Sequence, residues 1–80
     1  MMDYSALYAA IDAKPFRPFK IELVSGRQVD VGHPENVLIL PDRNRVQLIE
    51  VYRSDPFDLV LIWPGGFAGL LFPKMDAPAA

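Results

Sequence analysis

Apolar and polar side chains alternate along residues 19–31, on either side of a Ser25-Gly26 turn. Because a β-strand directs successive side chains to opposite faces, a period of two predicts strands with one buried face. The apolar positions of the two runs are Phe19, Ile21, Leu23, Val29 and Val31. A short turn between two such runs predicts an antiparallel hairpin, so this part of the chain favours a β fold.

The chain after this hairpin consists of short apolar runs separated by turn-forming residues. The runs cover residues 37–40, 46–52, 59–63 and 67–72. Pro41 and the polar residues 42–45 predict a second hairpin between the first two runs. In the second run the apolar positions change parity between Leu48 and Ile49, which predicts either a β-bulge or a strand buried on both faces.

The first residues follow a helical period instead. Apolar residues recur there at the spacing of one helical face, which predicts a helix over about residues 4–13. The positions are Tyr4, Leu7, Tyr8 and Ile11. Pro15 ends the helix, because the residue before a proline is displaced from the helical region. With Pro18 it predicts an extended edge or connector that leads into the first strand.

One helix followed by five or six short strands predicts a single small β domain over residues 1–73. We expect an SH3-like barrel or a strongly bent antiparallel meander, with the N-terminal helix covering one open end. The reason is that an uncovered sheet would leave edges and an apolar face in water. A flat sheet packed on the helix is the alternative. Residues 74–80 have little apolar surface to bury, and we expect them to form a flexible tail.

The composition leaves this domain without an internal cross-link. The 80 residues include no cysteine and one histidine, which excludes a disulfide, a thiolate metal site and a histidine-rich zinc site. We expect no cofactor. A domain of this size buries only about 60 to 65% of its unfolded surface, and 51% of the residues are hydrophobic. We therefore expect a second copy or another protein to supplement the core.

No segment has the pattern of an export signal or a membrane anchor. The start of the chain lacks a basic region followed by a long apolar one, so we expect a cytoplasmic protein. The longest apolar stretch, residues 59–72, is broken by Pro64 and by glycines. We therefore expect no membrane span.

The last third of the chain concentrates aromatic and aliphatic side chains beyond what so small a core readily holds. We expect part of this set to form a protein interface, either with a second copy through edge pairing or with another protein. The candidate interface residues are Trp63, Phe67, Leu70, Leu71 and Phe72. A non-enzymatic interaction or self-assembly module is therefore the leading hypothesis.

A small barrel that binds nucleic acid or a small ligand is the second hypothesis. Basic side chains would contact phosphates, and neighbouring aromatic rings would stack on bases. The candidate contacts are Arg17, Arg27, Arg43 and Arg45. The balance of 8 basic and 10 acidic residues lacks the electrostatic footprint of a nucleic-acid-binding domain, so this hypothesis ranks below the first.

An enzyme built on His33 is the third hypothesis. Asp30 or Glu35 would orient the imidazole as a general base. No serine of the chain lies in a nucleophile motif, and cysteine is absent, so no nucleophile pairs with this base by any motif. We therefore expect no enzymatic activity and assign no catalytic residue.

Three short motifs follow one another between residues 12 and 40. Pro-Phe-Arg-Pro-Phe stands at residues 15–19, Gly-Arg at 26–27 and His-Pro-Glu at 33–35. This succession resembles a group of short bacterial proteins, known mainly as uncharacterised, that share Pro-Phe-x-Pro-Phe, Gly-Arg and His-Pro-Glu in this order. The group tends to end the strand after Gly-Arg with a polar residue, where this chain has Gly32. The resemblance implies a small β domain of bacterial origin and assigns no activity or functional residue.

Overall fold

The computed structural model describes residues 4–54 and 57–72, which form one α-helix, six β-strands and two single-turn 3-10 helices. The elements are α1 (Ser5–Asp12), β1 (Phe19–Leu23), β2 (Gln28–Val31), η1 (Pro34–Asn36), β3 (Val37–Asp42), β4 (Arg45–Ser54), β5 (Phe57–Ile62), η2 (Pro64–Gly66) and β6 (Phe67–Leu71). These elements confirm the prediction of a mainly β chain with one N-terminal helix. The predicted tail at 74–80 lies outside the described residues. Of the helices described, none is long and apolar enough to cross a membrane.

The strands divide between two antiparallel sheets of three strands each. Sheet 1 has the order β2-β1-β6, and sheet 2 has the order β3-β4-β5. The chain passes from sheet 1 to sheet 2 through η1 and returns through η2. The alternative of one flat sheet packed on the helix is wrong, because the strands form two sheets that share a core. The described strands form no closed barrel.

The predicted hairpin of β1 and β2 is confirmed, and its turn requires a glycine. Phe19 pairs with Val31, and both side chains are buried. Ile21 and Val29 form the next buried pair. At the turn the Gly26 backbone has a φ of +94°, a left-handed conformation that L side chains rarely adopt. This register keeps the polar residues of both strands on the outer face.

β4 contains a bulge, as the change of parity predicts, but the bulge lies at Gln47 and not between Leu48 and Ile49. Leu40 of β3 pairs with Leu48 of β4. The next pair is Pro41 with Val46, so the register shifts by one residue between the two pairs. The shift returns Val46 to the inner side, where it packs against the core. β4 therefore keeps an apolar inner side on both sides of the bulge.

A single hydrophobic core unites both sheets and the helix. Its buried residues are Leu7, Ala10, Phe19, Ile21, Val29, Val31, Val37, Ile49, Val51, Val60, Ile62 and Phe67. Among the described residues no polar or charged residue is buried with them. Because α1 and both sheets contribute to one cluster, the core lies between the helix and the inner faces of the two sheets, and the other face of each sheet is turned outward.

Candidate functional site

The outer face of sheet 2 is apolar. In its central strand, Ile49 and Val51 point into the core. Successive strand residues point to opposite faces, so Leu48, Glu50 and Tyr52 point outward. These side chains form the middle row of a surface that faces away from the core.

The neighbouring strands extend this surface with further apolar residues. Leu38 of β3 and Leu61 of β5 both pair with Glu50, one from each side. The remaining outward pairs are Leu40 with Leu48 and Leu59 with Tyr52. The register thus brings leucines from separate segments of the chain next to one another.

We name this surface the apolar face. It consists of Leu38, Leu40, Leu48, Tyr52, Leu59, Leu61 and Trp63 around the single carboxylate of Glu50. Trp63 directly follows β5, and the alternation of that strand places it on the same outward side as Leu59 and Leu61. The most exposed members are Trp63 at 62%, Leu38 at 50% and Leu59 at 48%. Single exposed apolar residues are common, but a contiguous set on one sheet face indicates a binding surface.

The outer face of sheet 1 has the opposite character. It presents Lys20, Glu22, Gln28 and Asp30, and the Lys20 Nζ lies 3.8 Å from the Asp30 Oδ1. Antiparallel sheets commonly present such a polar face to water. Sheet 1 therefore has a polar outer face, and the fold does not require an apolar one. The apolar character of the outer face of sheet 2 comes from the residues of that sheet.

Glu50 places a carboxylate at the centre of the apolar face. The side chain is half-buried between Leu38 and Leu61, and in the described part of the chain no cation lies within ion-pair distance of it. Further along β4, Arg53 already donates to both carboxylate oxygens of Asp58, each at 2.9 Å. Those hydrogen bonds raise the pKa of Arg53 and hold the pKa of Asp58 below its usual range. Arg53 is thus occupied by Asp58 and does not pair with Glu50.

The residues predicted from the sequence as an interface do not share one surface. Trp63 belongs to the apolar face of sheet 2. Phe67 is buried in the core, and Leu70 packs against that core. Leu71 and Phe72 are exposed at the end of sheet 1. Of the predicted set, only Trp63 lies among the exposed apolar residues of sheet 2.

A groove of about 320 Å³ lies between α1 and the end of β6. It is lined by Ala6, Ala9, Ala10, Ala13, Arg17, Leu70 and Phe72. The Arg17 guanidinium lies 5.2 Å from the centre of the Phe72 ring, which in turn stacks on Phe19 with ring centres 5.7 Å apart. Arg17, one of the predicted nucleic-acid contacts, therefore covers an aromatic ring of this fold.

Arg43 joins the helix to the β3–β4 turn in an arrangement that we name the clasp, formed by Tyr8, Asp12 and Arg43. The Nη1 and Nη2 atoms of Arg43 donate to the two Asp12 carboxylate oxygens at 2.7 and 2.8 Å. The guanidinium lies 4.9 Å from the centre of the Tyr8 ring, and the Tyr8 hydroxyl donates to the Arg43 carbonyl at 2.8 Å. The hydrogen bonds between the side chains hold the pKa of Asp12 below its usual range and raise that of Arg43.

The other arginines predicted to contact nucleic acid lie at separate places. Arg27 follows the β1–β2 turn, and Arg45 begins β4 opposite Asp42. Both are exposed. The predicted set is therefore spread over two hairpin turns and the groove beside α1, and Arg43 is occupied by Asp12.

His33 is exposed and lies directly before η1, where its carbonyl accepts a hydrogen bond from the Asn36 N–H at 3.1 Å. The Asp30 carboxylate lies near Lys20 on the outer face of sheet 1. Within residues 4–54 and 57–72, no three His, Cys, Asp or Glu side chains lie close enough to hold a metal ion. The contact that His33 makes in this turn is a backbone one.

Comparison of the chain with models of protein families, with curated proteins and with solved structures finds no match. The fold and the site together define a class of molecule, a small two-sheet β protein that exposes an apolar sheet face.

Proposed function

We propose that the chain is a non-enzymatic binding module that docks a partner protein on the apolar face. The observation that supports this proposal is the contrast between the two outer faces, one charged and one apolar. Removing apolar surface from water is favourable by about 25 cal/mol per Å², so a contiguous set of exposed leucines with a tryptophan favours association. A helix is an element that commonly covers a sheet face, and it is the partner element we propose.

Glu50 specifies the chemistry of this partner. A purely apolar surface laid over the face would remove water from the carboxylate without replacing its hydrogen bonds, which is costly. A lysine or arginine within the apolar stripe of the partner helix would pair with it. We therefore propose an amphipathic helix that carries one cation among its apolar residues.

A second copy laid face to face fits less well. Two copies of the apolar face packed on each other would enclose two Glu50 carboxylates in one dry interface. Like charges in such an interface are unfavourable, and each carboxylate would lack a cation. The charge of Glu50 thus favours a different protein on this face.

Selection from a displayed library of random helical peptides tests this proposal. We expect enriched sequences with apolar residues at helical spacing and one lysine or arginine among them. Trp63 is the only tryptophan, so its emission should shift to the blue when a selected peptide covers it. Leu38→Ser should abolish binding, and Leu71→Ser on sheet 1 is the matched control. If no peptide is enriched, or if Leu38→Ser binds as tightly as the wild type, the proposal fails.

Reversal of the central charge tests the proposed chemistry separately. Glu50→Lys should weaken the selected cationic peptides by about tenfold or more, equivalent to about 1.4 kcal/mol. The same variant should bind better to peptides whose cation is replaced by glutamate. Equal binding of both peptide types to both proteins would show that Glu50 does not face the partner.

We also propose that the two sheets are parts of one SH3-like barrel. The support is topological, since β2 leads into β3 through a single 3-10 turn and β6 returns to pair with β1. A partly open barrel of this kind places β2 beside β4 of sheet 2, which nuclear Overhauser effects between backbone protons of the two strands detect by NMR. Absence of these effects would contradict it.

A further inference from the structure

Each sheet ends in two edge strands, β2 and β6 in sheet 1 and β3 and β5 in sheet 2. An edge strand presents unpaired N–H and C=O groups that can pair with another strand. Proteins commonly protect such edges with proline, charged side chains, bulges, short strands or a covering helix. The four edge strands of the described sheets differ in how many of these protective features they have.

Three of the edges are protected. β2 is short and presents Gln28 and Asp30 on its outer side. β3 contains Pro41 at its register shift, which removes one backbone donor. The pairing of β6 with β1 also shifts register, after Glu22, and α1 lies alongside β6 at the groove described above.

Of these protective features, β5 has only one charged residue, and no described helix covers it. Its sequence, Phe-Asp-Leu-Val-Leu-Ile, contains no proline and no basic residue, and its register with β4 is regular along the whole strand. Its one charged residue, Asp58, is already paired with Arg53. An apolar edge without protection of this kind pairs readily with a second strand.

We infer that β5 pairs in antiparallel orientation with β5 of a second copy, about a two-fold axis near Val60. This isologous contact joins the two copies of sheet 2 into one continuous sheet. An antiparallel register keeps inward residues beside inward residues, so Val60 and Ile62 extend the core side. On the outer side, Leu59 of each copy lies near Leu61 of the other and loses contact with water.

The position of Glu50 is compatible with this edge contact. Glu50 lies on β4, one strand in from the edge, so the two carboxylates are separated by about three strand spacings, or about 14 Å. That distance exceeds the Debye length of about 8 Å at physiological salt, and both carboxylates stay in contact with solvent. The dimer also leaves both apolar faces open, side by side, for partner proteins.

Sedimentation equilibrium with a matched pair of variants tests the inference. The wild type should approach twice the monomer mass of 9.0 kDa as concentration rises. Leu61→Lys should weaken dimerisation by about a hundredfold, because it places a charge at the paired edge of each copy. Leu38→Lys is the control, since Leu38 is 50% exposed against 47% for Leu61 and flanks Glu50 from the opposite edge.

Hydrogen exchange on the unmodified protein provides a second measurement. Amides of β5 should gain protection as concentration rises, whereas those of β3 should not. A wild type that stays monomeric at its highest soluble concentration would overturn the inference. So would equal dissociation of the dimer by both lysine variants, or protection gained at β3 or β6 instead of β5.

This inference and the proposed function fail separately. The dimer forms through the backbone edge of β5, and its sedimentation mass and amide hydrogen exchange are measured without any peptide. Peptide docking is measured by Trp63 emission and by the peptide affinity of the Glu50→Lys variant, and neither measurement requires a dimer. A monomer that still binds cationic helices would overturn only the dimer.

Discussion

At the scale of single residues, Tyr4 carries a buried polar atom. Its hydroxyl oxygen is removed from solvent and has no hydrogen-bond partner among the described residues. The ring packs 5.4 Å from that of Phe67 and 6.2 Å from that of Tyr8. Burial raises the pKa of the Tyr4 phenol, because the phenolate loses more by leaving water than the neutral form does. The ring therefore stabilises the core, whereas burial of the hydroxyl destabilises the fold.

Tyr4→Phe should stabilise the fold. The variant keeps the aromatic packing and removes a desolvated hydroxyl, so the free energy of unfolding should rise by about 1 kcal/mol in urea denaturation. Tyr8→Phe is the matched control, because the Tyr8 hydroxyl donates to the Arg43 carbonyl at 2.8 Å. Its loss should lower the free energy of unfolding by about 1 kcal/mol. Destabilisation by Tyr4→Phe would mean that the hydroxyl has a partner.

At the scale of elements, the clasp attaches α1 to the β3–β4 turn. Asp12 at the end of the helix and Arg43 in the turn form a paired set of hydrogen bonds, and Tyr8 lies against the guanidinium. Arg43 keeps the pKa of Asp12 below its unfolded value of about 3.9. The unfolded chain therefore binds a proton at this carboxyl more readily than the folded one does. This contribution to stability is present above the unfolded pKa and is lost as pH falls through the folded pKa.

Asp12→Asn should reduce the acid sensitivity of the fold. Wild-type stability should be lower at about pH 3 than at neutral pH, because below the unfolded pKa of about 3.9 the unfolded chain binds a proton at Asp12 more readily than the folded chain does. Asp12→Asn should be less stable than the wild type at neutral pH and should lose less on acidification. Asp58 keeps part of the dependence, since its pKa is also lowered, by Arg53. Glu35→Gln, at an exposed residue of η1, is the control.

Urea denaturation at both pH values measures this difference. If the control and Asp12→Asn show the same change with pH, the pairing with Arg43 does not contribute to stability. A second comparison, Arg43→Ala with Arg45→Ala, removes one arginine at a time from the same turn. Only the first should loosen the helix, detected as faster amide exchange along α1.

At the scale of the whole molecule, the two faces of sheet 2 have different energetic roles. Ile62 is 2% exposed and belongs to the core, whereas Leu61, the residue before it, is 47% exposed. A domain of this size has a total stability of about 5 kcal/mol. Packing of Ile62 and the other buried side chains therefore stabilises the fold, and Leu61 contributes little to that packing.

Matched alanine substitutions in β5 test whether the inner and outer faces of sheet 2 contribute differently to stability. Ile62→Ala should lower the free energy of unfolding by about 3 kcal/mol, because it leaves a cavity in the core. Leu61→Ala should change it by less than about 0.5 kcal/mol. Both values come from urea denaturation at concentrations where the protein is monomeric. Equal losses would mean that Leu61 packs within its own fold.

Local patterns in the chain were sufficient for several elements of this fold. The alternation around Ser25-Gly26 predicted the first hairpin, and the helical period predicted α1. The change of parity within residues 46–52 predicted a bulge in β4 but not its position at Gln47. Each of these features depends on residues that are neighbours in sequence. Alternation specifies the buried side of a strand where the other side is polar, as it is in β1 and β2.

The apolar face and the clasp were decided only by tertiary structure. Residues 37–40 and 59–63 are apolar at both parities, so the sequence pattern cannot tell the inner side from the outer one. The choice depends on which side meets sheet 1 and α1. The clasp joins Asp12 to Arg43, 31 positions apart, and no local pattern reports such a contact. For the same reason Phe67 became a core residue while Leu38 and Leu61 were left in water.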